Sequence, residues 1–240
     1  IKGVRTLSET ELLVGAHMSI AGGTPLALKR AQQADCRVLQ IFVKNNNRWV
    51  GKLISEEEVD TFRKDWKRSM IQDIVAHDCY LINLASPRDV LWRQSIDALV
   101  DELDRCDRLG LSYLVVHPGS HMGTGEAQGV RRIAHAIDCV HQERNWKVQI
   151  ALETTAGQGT SVGYRFEHLR DIIGSISHSD RIAICVDTCH IFAAGYDIRK
   201  EEDYQKTMEN FDQNIGLDRL RVFHFNDSKR KCGVRVDRHE

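Results

Sequence analysis

The sequence predicts an α/β fold, a (β/α)8 TIM barrel read as far as its seventh strand, and three observations carry that prediction. Short β-branched or apolar runs alternate with longer segments whose apolar residues recur at three and four, the pattern of βα units around a parallel sheet. The turn after the first run holds only Gly22 and Gly23, not the G-x-G-x-x-G of a dinucleotide-binding sheet. Six of the seven runs end on a possible metal ligand, and barrel enzymes build their sites at the C-terminal ends of their strands.

The expected elements follow in order. Strands are expected at Leu12–His17, Val38–Asn45, Ile71–Asp78, Tyr113–Gly119, Val148–Thr155, Arg181–His190 and Leu220–Asp227, each short, bounded by turn residues and rich in β-branched side chains. Helices are expected at Thr24–Ala34, Ser55–Ser69, Val90–Leu109, Gly129–Gln142, Phe166–Ile176 and Glu201–Ile215. Ser55 with Glu58 forms a capping box, and Gly110 closes the stripe Leu99, Leu103, Cys106, Leu109 as a C-terminal glycine. Six units separate the strand starts at 12 and 220, a mean period of about 35 residues, and a complete barrel takes ~250 residues or more. The eighth strand is therefore expected beyond residue 240, with Ile1 and Glu240 reading as cut ends and strands one and seven as unpaired edges.

The 240 residues form one domain, 1–240, with 42% hydrophobic residues and no apolar run near the ~20 residues that cross a bilayer. Lys+Arg 33 against Asp+Glu 34 gives a net charge of -1, which excludes coating nucleic acid by bulk charge and leaves room for a local basic face. The 7 Cys include no C-x-x-C pair, which points away from a disulfide framework or thiolate zinc site and toward a reducing intracellular compartment: cytoplasm, nucleus or mitochondrion.

At the strand ends stand His17, Lys44 with Asn45, His77 with Asp78, His117, Glu153, Asp187 with His190, and His224 with Asp227. A single His at a strand end is ordinarily a hydrogen-bonded structural residue, but the same chemistry on one rim from distant strands points to metal. Imidazoles mixed with carboxylates suit zinc, manganese or iron in a site open to substrate. With Asp237 and His239 of the D-x-H tail the candidate ligands number eight, whereas a catalytic zinc takes about three protein ligands. Two or three ions bridged by a carboxylate are implied, a cluster suited to phosphoester hydrolysis.

The segments GAHMSIAGG (15 to 23), HDCYLINLASP (77 to 87), HPGSH (117 to 121), ETTAGQG (153 to 159), DTCHIFAAGYD (187 to 197), HFND (224 to 227) and VDRHE (236 to 240) resemble the endonuclease IV family of zinc-dependent apurinic/apyrimidinic endonucleases. The resemblance runs from about residue 13 to the end of the chain. It implies a barrel carrying three Zn2+ ions that cleaves the phosphodiester 5′ of an abasic site in double-stranded DNA, leaving a 3′-hydroxyl, and that removes 3′-blocking groups. It implies a first zinc on His77, His117 and Glu153, with Glu153 also catalytic and bridging to a second zinc on Asp187 and His224. A third would sit on His190, Asp237 and His239. The family pattern adds a Glu at the end of the last barrel strand, beyond residue 240.

Tyr80 and Leu81 match the loop that the family inserts into the duplex at the lesion, where flipping costs least because no base is paired. Lys44 to Trp49 resembles a second probing loop, with Arg48 in place of an Arg that the family commonly has at the position of Asn47. Gln158 matches a residue facing the lesion, while Thr154 departs from the Asn that often follows the Glu. Lys229, Arg230, Lys231, Arg235 and Arg238 suit phosphate contact, with Arg235 the expected DNA ligand; a solvated basic loop is the ordinary alternative. The expected partner is damaged DNA, met by a monomer without a membrane. Two other readings stand beside this one. A metal-dependent sugar isomerase or epimerase shares the barrel and lacks the D-x-H tail and the Tyr-Leu pair, and a chain cut before the eighth unit binds DNA without cleaving it.

Overall fold

The computed structural model describes residues 13–240; Leu12, the first residue expected in a strand, lies outside them. The chain runs β1 (Gly15–His17), α1 (Thr24–Gln33), β2 (Val38–Phe42), α2 (Glu56–Arg68), β3 (Asp73–His77), α3 (Asp89–Leu109), β4 (Tyr113–Val116), β5 (Gly119–Ser120) and α4 (Glu126–Glu143). It continues with β6 (Gln149–Glu153), β7 (Ser161–Val162), α5 (Phe166–Ser175), β8 (Ile182–Asp187), α6 (Thr188–Ala194), α7 (Glu201–Asn214) and β9 (Leu220–His224). Seven parallel strands pair in the order β1-β2-β3-β4-β6-β8-β9, the barrel order through a seventh strand.

Two layers of packing follow from the period of two. On one face the strands meet the helices in the main apolar core, where Phe62, Leu99, Leu114, Ile133, Ile150, Phe166 and Ile184 are fully or almost fully buried. On the other, the barrel interior is filled by a small cluster of Val115, Ala151, Ala183 and Cys185 with Tyr113 and Val222 against it. Glu153, Asp187 and His224 lie two residues beyond Ala151, Cys185 and Val222, so strand alternation turns them inward at the C-terminal rim. Register completes the rim, because Glu153 stands opposite Cys185 and Asp187 opposite His224.

Three local expectations are corrected. The run expected as one strand, Arg181–His190, ends at Asp187, whose carboxylate accepts from the His190 N–H at 2.9 Å and caps α6. The run expected to Gly119 ends at Val116, because Pro118 has no N–H for the ladder; Gly119–Ser120 instead pairs antiparallel with β7. Ser55 does cap α2, accepting from the Glu58 N–H at 3.2 Å, but Glu58 does not close the box. Its carboxylate accepts from the backbone N–H and hydroxyl of Thr24 at 2.8 and 2.9 Å, since Gly23 offers α1 no side-chain cap. Gly110 ends α3 as expected, with φ 83 and its N–H on the Cys106 carbonyl at 2.9 Å.

Among the described residues β1 and β9 each have one unpaired edge. Phe225 lies just past β9, 81% exposed and stacked on Phe223 at 5.3 Å.

Candidate metal centre

The rim residues converge on one carboxylate. Glu153 is 1% exposed, and its two oxygens face His77 Nε2 and His117 Nε2 at 3.1 Å, His224 Nδ1 at 3.0 Å and His190 Nδ1 at 3.3 Å. Beyond them, His190 Nε2 lies 3.3 Å from Asp237 and 3.4 Å from His239 Nε2, which is itself 3.2 Å from Asp237. Asp187 Oδ2 lies 3.8 Å from His224 Nδ1 and 4.0 Å from His239 Nε2. All eight residues expected from the sequence therefore meet at one place.

Charge balance explains how a buried carboxylate persists there. Burial alone would raise the Glu153 pKa, but the His117 charge and hydrogen bonds from His117, His190 and His224 outweigh it and hold it well below the ordinary carboxylate value. Burial alone would lower His77, yet hydrogen bonds to Asp78 and Glu153 hold it well above the ordinary imidazole value. His190 behaves alike: burial is outweighed by Asp237 and Glu153, and its pKa rises to about 11. Protons thus occupy the centre of the metal-free chain.

The donor set fits a metal on two counts. The ring nitrogens of three imidazoles divide their work: His77 Nδ1 lies 2.9 Å from the Asp78 carbonyl, His190 Nδ1 2.8 Å from that of Thr154, and His224 Nε2 2.8 Å from Gln40 Oε1. The remaining nitrogen of each faces the centre, which is how metal-ligating histidines are held. The separations near 3.0–3.4 Å also suit tetrahedral coordination, where bonds of ~2.0–2.1 Å put ligands about 3.3 Å apart. Groups that can hold an ion include His77, His117 and Glu153, and Asp187, His190 and His239. Cys185 and Cys189 border such groups, but burial, then neighbouring carboxylate charge, raises the Cys185 thiol well above its ordinary value, and burial raises Cys189.

The residues that orient these ligands were not expected from the sequence. Gln40 in the run VLQIF is the one detectable signal, a polar side chain inside an apolar strand; it also donates to His17 Nδ1 at 3.0 Å. Asn226 Nδ2 donates to Asp187 Oδ2 at 2.5 Å, and Thr154 Oγ1 accepts from the Asp187 N–H at 3.0 Å.

The expected DNA contacts divide. Tyr80 is 64% exposed beside the rim, with Leu81 packed behind it, and Arg48 is exposed. Gln158 is exposed and accepts from the Asp237 N–H at 2.9 Å. Arg235, with φ 54, lays its guanidinium 4.2 Å from the Tyr164 ring. Lys44 requires correction: it is buried, with its ammonium 3.1 Å from Glu102 and 2.8 Å from the Trp49 carbonyl, so it has no free face for a phosphate. A cleft of about 470 Å³ runs between Trp49, Tyr80, Leu81, Gln158, His190 and Asp237. No helix among the described residues is long and apolar enough to cross a membrane.

The family model described as a xylose isomerase-like TIM barrel matches residues 28–240. A probable endonuclease 4 of Geotalea daltonii is 50% identical over 228 residues, covering 95% of this chain and 80% of the relative. A probable endonuclease 4 of Chloroflexus aurantiacus is 51% identical over 226 residues, covering 94% of this chain and 79% of the relative. The crystal structure of endonuclease IV from Thermus thermophilus matches with TM-score 0.82 at 34% identity, covering 95% of this chain and 81% of that one. A D-tagatose 3-epimerase-like protein matches with TM-score 0.68 at 17% identity over 89% of this chain and 76% of that one, a likeness of fold alone.

The pKa shifts give the metal-free chain a defined pH response. His190 rises from 6.5 unfolded to about 11 folded, so its stabilisation is complete below pH 6.5 and is lost as pH rises through about 11. Glu153 is depressed below 4.5, so its share is complete above that value and is lost as pH falls. Urea unfolding in chelator is expected to show stability declining from about pH 6.5 to about pH 9.5, with a flatter decline in His190→Gln; equal slopes would contradict the assignment.

Proposed function

Because the chain belongs to the endonuclease IV family of repair endonucleases, we propose that it hydrolyses the phosphodiester 5′ of abasic sites in double-stranded DNA and clears 3′-blocked ends, as a monomer with three zinc ions. The convergence of four imidazoles on Glu153, at the foot of a cleft flanked by exposed Tyr80, carries this reading. His77, His117 and Glu153 would hold one ion, Glu153, Asp187 and His224 a second, and His190, Asp237 and His239 a third. Bound there, zinc supplies a water acidified toward neutral pH and positive charge for the phosphate oxygens.

The chain's own residues do the rest. Gln40, Asp78 and the Thr154 carbonyl keep the imidazoles aimed inward. Tyr80 and Leu81 form the wedge that enters the duplex at the gap left by the missing base, with Arg48 on the neighbouring loop that the Tyr80 N–H joins at the Asn46 carbonyl. Gln158 borders the cleft that would receive the flipped sugar, and its hold on Asp237 fixes the tail to that wall. Arg235 and the other basic residues of the tail meet phosphates beside the metals, which reconciles DNA binding with a net charge of -1. The exposed wedge and the D-x-H tail at the centre are parts that a sugar isomerase has no use for.

Incision of a duplex carrying a synthetic abasic analogue, with close to three zinc ions per chain by metal analysis, is the expected result. His117→Ala and Glu153→Ala are each expected to lose about a hundredfold or more, and undiminished cleavage by either would sink the role assignment. The tail makes a separate, electrostatic prediction. Removing two basic side chains, Arg230→Gln with Lys231→Gln, should reduce the slope of log affinity against log salt by about 0.9 for each phosphate that these side chains neutralise; an unchanged slope would show that they touch no phosphate.

A further inference from the structure

Three charged side chains outside the metal centre are buried, and with the half-exposed Asp101 they underlie both loops of the DNA-facing rim. Lys44, at the end of the β2 run, and Glu102 and Arg105, on α3, are 5%, 1% and 4% exposed, and Asp101 borders them. Lys44 Nζ lies 3.1 Å from Glu102, 3.4 Å from Asp101 and 2.8 Å from the Trp49 carbonyl. Arg105 donates from Nε to both Asp101 oxygens at 2.9 and 3.0 Å, and from its two terminal nitrogens to the carbonyls of Lys52 at 2.7 Å and Gly51 at 3.2 Å. Two cations therefore hold the backbone at Trp49, Gly51 and Lys52 in the loop 45–53. Gly51 fits this clasp because a Cβ there would lie 2.7 Å from Lys44 Cβ.

The same acid reaches the wedge. Both Glu102 oxygens accept from the Cys79 N–H, at 3.2 and 3.3 Å, one residue before Tyr80. The Tyr80 N–H in turn donates to the Asn46 carbonyl at 3.2 Å. Glu102 thus sits at the junction of two loops that are also joined by this backbone bond. Buried ion pairs contribute little net stability compared with apolar replacements of similar volume, so their use here lies in what they hold.

We propose that the Lys44–Glu102 pair, backed by Asp101 and Arg105, is a positioning device that locks the loop carrying Arg48 and the wedge carrying Tyr80 into one rigid unit, so that the abasic duplex meets a preformed probe. The proposal rests on the DNA-repair reading above for its ligand, but not for the rigidity it claims. Lys44 and Glu102 touch no substrate. They act by removing the ordering cost that loose loops impose on binding.

The test replaces the pair by neutral residues of similar size, Lys44→Met with Glu102→Gln, and reads two quantities. In chelator, where nothing is cleaved, fluorescence anisotropy compares a duplex holding a tetrahydrofuran abasic analogue with the intact duplex. The variant is expected to lose its preference for the abasic duplex roughly tenfold, with affinity for the intact duplex unchanged, as pre-organisation is removed. Without DNA, tryptic cleavage after Arg48 is expected to speed up roughly tenfold at an unchanged melting midpoint, as the loop opens locally. Preserved discrimination, or an unchanged tryptic rate, overturns the proposal. Should the double variant not fold, Arg105→Lys, which breaks the forked hold on Gly51 and Lys52, must give both effects or the proposal falls. A wild-type chain with no abasic preference would count against the repair function, and the tryptic arm would still decide the rigidity claim.

Discussion

Everything at the rim depends on the charge of one buried carboxylate. Glu153 is closed off from water, and an ionised carboxylate in such a place is tolerated only with charge and hydrogen bonds around it. Four strands and the first turn of α6 each deliver a compensating imidazole or a neighbour of one. The alternation that buries Ala151 and Cys185 inside the barrel is the same alternation that turns Glu153 and Asp187 inward one step later. Core and site are therefore successive layers of one geometry, the lower apolar and small, the upper polar and convergent. Metal ligation needs neutral imidazole nitrogens, so an ion bound among His77, His117, Glu153, Asp187, His190 and His224 would displace the protons that these groups hold in its absence.

Much of this was legible because it depends on period and position. The alternation of runs marked the seven strands and six of the helices, and the strand ends marked the convergent residues, since a barrel collects strand ends on one rim whatever their distance in sequence. What escaped depends on contacts between distant residues. No periodicity marks Asp187 as the cap of α6, because a capping carboxylate and a ligand look alike in a sequence. Glu58 has the spacing of a capping box, yet the unsatisfied donors at Thr24, 34 residues away, hold its carboxylate. Lys44 resembles a phosphate contact by its place in a loop motif; only the position of α3 beneath that loop shows that its charge is spent on Glu102. Gln40 left a trace, being polar in an apolar strand, but its partners His17 and His224 come from the two edge strands.

Two buried clusters of charge stand side by side at this rim. The first balances Glu153; the second balances Glu102, whose pKa burial, and then the charge of Asp78, raise to about 7. Asp78 and Cys79 lie between them: Asp78 faces His77 at 3.2 Å, and the Cys79 N–H is held by Glu102. Three consecutive residues just past β3 thus face His77, Glu102 and, at Tyr80, the solvent, and the turn that holds them is backed by the 21-residue α3.

The tail is held by a different principle, and this sets an order among the ligands. Asp237 and His239 lie outside the sheet. Backbone bonds from Gly233 to the Phe192 carbonyl at 3.1 Å and from Arg235 to that of Ala193 at 2.9 Å dock their segment on α6. Gln158 holds Asp237 from the side, and Tyr164 stacks on Arg235 while its hydroxyl donates to Glu126 at 2.6 Å. The tail also pairs with the segment just past β9, the Lys229 N–H on the Arg238 carbonyl at 3.0 Å and the Glu240 N–H on that of Asp227 at 3.1 Å, with Ser228 bridged to His239, so local loop contacts rather than the main sheet hold it. Strand-borne His77, Glu153, Asp187 and His224 can move only if the sheet does. The centre therefore has one half built into the barrel and another, Asp237 and His239 against His190, carried by a loop that also holds Lys229, Arg230, Lys231, Arg235 and Arg238.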